Sequence, residues 1–238
     1  MVTSQILASG GLWLNIGGTE VLVDPGPGCI VQSAKRKLRA DRLSAIILSH
    51  RHLDHSADVN IMVEAMTRGG TKPRGRLFAP ADALEIEPVI ISYLRDYLEE
   101  IVVLEEGKSY QLDNFSFTTP LRHIHRVETY GMLFRASHTF SYIADSRYFD
   151  GLCRSYGGEL LIINVVRPEG NHPYDHLSAP DAAQIIKELK PKVAILTHFG
   201  MAMWQAKPWL VAERLSQETG VRVIAARDGL RFELSQLD

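Results

Sequence analysis

His50-Arg51-His52-Leu53-Asp54-His55 places three imidazoles and a carboxylate within six residues, directly after the apolar run Leu43–Leu48. Buried together without a ligand, three histidines would desolvate one another and compete for partners. Neutral imidazole is the commonest metal ligand, so the cluster is read as metal-binding. The aliphatic run before it has the continuous character of a buried strand, which puts the cluster in the loop at that strand's carboxyl end. One such loop can feed two adjacent ions, because His50 and His52 are followed by a second pair, Asp54 and His55.

Outward from this stretch, the chain alternates strand and helix signals. Leu12–Ile16 and Glu20–Val23 flank Gly17-Gly18-Thr19 and read as a hairpin, closed by the breaker Asp24-Pro25-Gly26-Pro27-Gly28. Val59, Met62, Val63 and Met66 recur at helical spacing up to Gly69-Gly70. Leu77–Ala79 reads as a short strand, and Ala81–Glu99 as mostly helical, divided by Pro88. Strands are expected at Ile101–Leu104, Phe115–Leu121, Tyr130–Arg135, Thr139–Ala144 and Leu160–Val166. Ser178 and Asp181 form a capping box before the amphipathic series Ala182, Ile185, Ile186 and Leu189. Val193–Leu196, a helix from Pro208 to Gly220, and closing strands at Val221–Ala225 and Leu230–Leu234 complete the expectation. The order implies a layered α/β sandwich with ligands at strand ends, in one domain over residues 1–238.

The bulk numbers exclude several classes. The chain has 238 residues, 45% apolar and 23% charged, with a formal charge of −2. No basic footprint for tight nucleic-acid binding results; Lys35-Arg36-Lys37 with Arg39 reads as a solvated turn, the alternative being a patch that guides an anionic substrate. Two cysteines, Cys29 and Cys153, make neither a disulfide framework nor a zinc–thiolate motif, which suits a reducing, cytoplasmic setting. The first residues lack the basic and apolar regions of a leader, and no stretch reaches transmembrane length, so no membrane role is expected.

Three further candidates each follow an apolar run: His125, Asp145 and His198. With them the sequence resembles the metallo-β-lactamase superfamily over nearly its whole length. The six-residue cluster matches the family's H-x-H-x-D-H motif in full, and Asp24 matches the acidic residue after the first hairpin. His125 before Gly131, Tyr142-Ile143-Ala144-Asp145-Ser146 and Leu196-Thr197-His198 match later motifs. The resemblance implies a four-layer αββα sandwich and a dinuclear site. His50, His52 and His125 would take one ion, Asp54, His55 and His198 the other, and Asp145 would bridge them. Two such ions share a water and lower its pKa, giving a bridging hydroxide as nucleophile. All-nitrogen-and-oxygen ligation suits zinc best; manganese and iron also fit.

Asp54 and His176 are the catalytic candidates. The resemblance to the ribonuclease Z-like and small phosphodiesterase branches implies a general acid at His176; the alternative is a loop histidine at a helix start. His123 competes with His125 for the third motif, Asp24 is either an orienting partner or a turn carboxylate, His172 is a weaker acid candidate, and His138 is read as a hairpin residue. Exported β-lactamases, flavodiiron proteins and glyoxalase II-type thioesterases fit this chain less well, for want of an export signal, a flavin domain and a C-terminal helical domain. The expected function is a dinuclear metal-dependent hydrolase acting on a small or nucleotide-derived phosphodiester. A lactonase or thioesterase on the same fold is the alternative, and a non-catalytic metal or metabolite sensor a third. The expected partner is a small-molecule substrate, with homo-oligomers allowed.

Overall fold

The computed structural model describes residues 6–9 and 11–238. The first five residues, read above for a leader, lie outside that set. The chain divides into two compact units, one running to Glu105 with Leu112–Asn114 added, the other comprising Glu106–Gln111 and Phe115–Asp238.

The first unit is built on a five-stranded sheet. Strands β1 (Leu12–Ile16) and β2 (Thr19–Val23) form the expected antiparallel hairpin. Gly17 and Gly18 turn it with φ of 58° and 89°, a conformation that costs glycine nothing. Helix α1 (Cys29–Lys35) leads to β3 (Leu43–Ile47), α2 (Leu53–Ser56) and α3 (Val59–Thr67), then β4 (Arg76–Pro80), α4 (Ser92–Arg95) and β5 (Glu100–Leu104). The order is β1-β2-β3-β4-β5, parallel from β2 onward. Leu22, Ile46, Leu48, Leu77 and Ala79 lie in one core with Val59, Met62, Val63 and Met66 of α3. Each fully buried side chain of this size contributes roughly 1.5–3 kcal/mol, so the stripe read from the helical spacing holds α3 to the sheet.

The helical expectation over Ala81–Glu99 is met only in part, by a short helical piece on each side of Pro88. After β4 the chain makes one π-helical turn, Asp82–Ile86, and later only the short α4. Pro88 has no amide to donate, and the Asn60 side chain takes up the Val89 carbonyl and the Ile91 amide, at 2.8 and 2.9 Å. Those two groups are thereby withdrawn from helical bonding.

The second unit carries a seven-stranded sheet. Its strands are β6 (Ser109–Gln111), β7 (Ser116–Thr118), β8 (Met132–Arg135), β9 (Thr139–Ile143), β10 (Leu160–Asn164), β11 (Val193–Thr197) and β12 (Arg222–Ala225). Strands β6 to β9 form an antiparallel meander, and β9 to β12 run parallel. The parallel strands are joined through α5 (Gly151–Ser155), α6 (Ala179–Leu189), α7 (Met201–Gln205) and α8 (Pro208–Thr219), as parallel pairing requires. The capping box of Ser178 and Asp181 is present at α6, and Gly220 closes α8 at φ 71°. Strand β7 is shorter than expected. Leu230–Leu234 is not a strand: the chain turns at Asp228-Gly229, the Leu230 amide returns to the Arg227 carbonyl, and a 3-10 turn spans Leu234–Leu237.

Candidate functional site

Register places the candidate residues at strand ends in each unit. In the first, Val23 pairs with Ile47 and Ile47 with Phe78, so Asp24 and the Leu48–His55 stretch leave adjacent strands side by side. Asp24 is 1% exposed and His50 fully buried. Oδ1 of Asp24 accepts the Ser49 amide and Oδ2 the Ser49 hydroxyl, both at 2.7 Å. With its proton given to Asp24, the Ser49 hydroxyl accepts from Nδ1–H of His50 at 2.9 Å. Oδ2 of Asp24 also accepts from Nδ1 of His55 at 3.0 Å. Both imidazoles therefore carry the proton on Nδ1 and present the Nε2 lone pair, the tautomer a metal ion needs. The rings of His50 lie 4.8 Å from His52 and 4.1 Å from His55, and Nε2 of His55 is 3.9 Å from Asp54. Arg51, between the first two histidines, turns away to Asp82 at 2.9 Å and to Glu87, anchoring the loop on the π-helical turn.

In the second unit, Ile143 pairs with Ile163 and Asn164 with Thr197, so Asp145, Asn164 and His198 leave one edge of the sheet. Ligands of parallel α/β sheets bind at that carboxyl edge. His125, Asp145 and His176 each offer a ligand atom within 4.8 Å of the others. Nε2 of His176 is 3.2 Å, and that of His198 3.8 Å, from Oδ2 of Asp145. Asn164, which sequence reasoning missed, donates to Oδ1 of Asp145 at 2.8 Å. Its signal was a polar residue ending the apolar run Leu160–Ile163, the pattern that had marked Asp145 and His198.

The choice between His123 and His125 has a physical answer. His123 is 3% exposed, with Nδ1 on the Asp145 carbonyl at 3.1 Å and Nε2 on the Tyr156 hydroxyl at 2.8 Å, so neither nitrogen is left for a ligand. Burial pulls its pKa down to about 4. His125 is half-buried and donates Nδ1–H to the Asp175 carbonyl at 2.9 Å, which leaves Nε2 as its lone-pair nitrogen; burial lowers its pKa as well. His138 pairs with Glu159 at 2.8 Å and with Asp238. His172 lies beside Tyr174, ring centroids 6.0 Å apart. Both thiols are free and buried, and burial pushes each up to about 11, which keeps them protonated at neutral pH.

The family model for a β-lactamase superfamily domain matches residues 19–199, which span every motif above. The chain belongs to the metallo-β-lactamase superfamily. It is 35% identical to the uncharacterised protein MJ1374 of Methanocaldococcus jannaschii over 97% of this chain and 89% of that one. It is 28% identical to YhfI of Bacillus subtilis, named a probable metallo-hydrolase, over 80% of each. Among solved structures, the metallo-β-lactamase fold protein YhfI superposes with a TM-score of 0.80 at 24% identity, covering 94% of this chain and 90% of YhfI. A diphosphatase of the PhnP family gives 0.72 at 23% identity, covering 95% and 85%. The short form of human tRNase Z gives 0.70 at 18% identity, covering 95% and 92%. These likenesses establish the metallo-β-lactamase fold, and the superfamily member is a metal-dependent hydrolase by class. Within each unit the oriented histidines, by Asp24 in the first and by the Asp175 carbonyl in the second, stand with carboxylates as nitrogen and oxygen donors of the kind divalent cations take.

Proposed function

We propose that this protein is a dinuclear phosphodiesterase acting on a small or nucleotide-derived phosphodiester. The reading is carried by one observation: His125, Asp145 and His176 meet at the carboxyl edge of the second sheet, so a candidate ligand, a shareable carboxylate and a second imidazole stand together. His50, His52 and His125 would hold one ion, and Asp54, His55 and His198 the other, with Asp145 shared; zinc is the best match to nitrogen and oxygen donors. Two divalent ions supply an activated water and Lewis-acid stabilisation of charge developing on phosphoryl oxygens.

The chain's own residues do the rest. Asp54 provides a partly exposed carboxylate to accept a hydrogen bond from the attacking water. His176, its ring partly exposed, delivers a proton to the departing oxygen. Asp24 and Ser49 hold the first imidazoles in one tautomer, and Asn164 fixes the Asp145 carboxylate. Fold likeness to proteins named diphosphatase and tRNase Z supports phosphate-ester chemistry over acyl chemistry. No helix among the described residues is long and apolar enough to cross a membrane, and two free thiols suit a cytoplasmic home.

The test is a panel of small phosphodiesters, lactones and acyl thioesters with zinc- or manganese-loaded protein. Turnover of phosphodiesters well above the other classes is expected. Lactone or thioester turnover alone overturns the substrate class, and metal binding with no turnover favours a sensor.

A further inference from the structure

Asp175 links two candidate histidines of the unit that carries the seven-stranded sheet. Its carbonyl accepts from His125, and the next residue, His176, reaches Asp145. The Asp175 side chain faces Arg147, whose Nε and Nη2 donate to Oδ1 at 3.0 and 2.6 Å. Arg147 lies two residues beyond Asp145, and its own amide donates to the carbonyl of Ile124, the neighbour of His125, at 2.8 Å. The contacts close a ring from Asp145 through Arg147, Asp175 and His176 back to Asp145, with His125 held on both sides.

We propose that Arg147 is a positioning residue: it latches the loop between Arg167 and Ser178 to the end of β9 and so places His125 and His176 together. The inference rests on the reading of those histidines as ligand and acid. At its base the loop is tied by backbone bonds, Val166 to Leu177 and Ala179 to Arg167, both 2.9–3.0 Å. Within it, the Arg167 guanidinium lies 4.6 Å from the Tyr174 ring centroid, a contact internal to the loop. The Arg147–Asp175 pair, by contrast, joins the loop to the strand end that bears Asp145. The Arg147 side chain is 59% exposed, and an exposed pair adds little to folding stability, so its removal should move the histidines and not the melting point.

The experiment takes the full-length protein with Arg147→Gln, Asp175→Asn and both together. Zinc affinity is read by competition titration, and the His125 imidazole nitrogens by NMR in metal-free protein. Each single variant should weaken zinc binding about tenfold, the double no further, because the two side chains act as one unit. His125 should lose its single Nδ1–H signature while the melting temperature stays within about 2 °C, and Arg147→Lys should restore part of the affinity. Unchanged zinc affinity and an unchanged His125 signal in both singles, or additive losses in the double, would overturn the latch. Should the parent protein bind no zinc, the metal reading fails, and the His125 signal still decides on Arg147.

Discussion

Oδ2 of Asp24 lies 3.0 Å from Nδ1 of His55, thirty-one positions away, and both side chains are 1% exposed. The same oxygen takes the Ser49 proton, which turns the serine into an acceptor for His50. One carboxylate thus sets the tautomer of two imidazoles.

Replacing Asp24 with asparagine keeps the volume and removes the charge that both protons seek. Zinc affinity should fall 10- to 100-fold, the range for a lost orienting partner. Competition with a chromophoric chelator measures it; an unaltered affinity would make Asp24 a turn residue only.

His176→Ala tests the proton donor. Turnover of a phosphodiester with a poor leaving group should drop about 10²- to 10⁴-fold, while an activated aryl phosphodiester is cleaved at nearly the parental rate. Metal content, measured alongside, should hold. Equal losses on both substrates would assign His176 to the ligand set.

His123 gives a pH prediction. Burial lowers it to about 4, against about 6.5 in an unfolded chain. A folded pKa below the unfolded one means that its stabilisation is complete above pH 6.5 and is lost as pH falls toward 4, on the order of 3 kcal/mol in all. Denaturant unfolding of metal-free protein and of His123→Gln should therefore differ most near pH 7.5 and converge toward pH 4.5. A gap that widens on acidification contradicts this.

Gly26 abuts the backbone of the His50–His55 stretch. A Cβ there would overlap the carbonyl oxygens of Asp54 and Ser9, neither of which is the end of a flexible side chain. Gly26→Ala should cost about 1–3 kcal/mol by overpacking and weaken zinc binding through the displaced Asp54 backbone. Chemical unfolding and the zinc titration report the two effects separately.

Where local pattern and tertiary contact agree, the sequence could be read directly. The hairpin at Gly17-Gly18, the capping box at Ser178 and the apolar runs leading to His50, Asp145 and His198 each follow from neighbouring residues. What escaped depends on distant ones. Ser49 acquires its role only because β2 and β3 run side by side, and Asn164 only because β10 ends beside Asp145. The helix expected over Ala81–Glu99 is reduced to two short pieces because Asn60, on α3, captures the backbone between them. Asp24 was half legible: its place after the hairpin was visible, its reach to His55 was not.

The backbone at His198 has φ of 61°, a conformation in which asparagine, aspartate and histidine are at home and most other side chains are strained. In the ligand role proposed for His198, that narrows any attempt to retune metal preference at this position. An exchange for aspartate moves the donor toward harder cations such as manganese and respects the local geometry. An exchange for cysteine, the obvious way to favour a softer ion, meets a conformational penalty before any ion arrives. At position 198, chain geometry steers redesign toward oxygen donors.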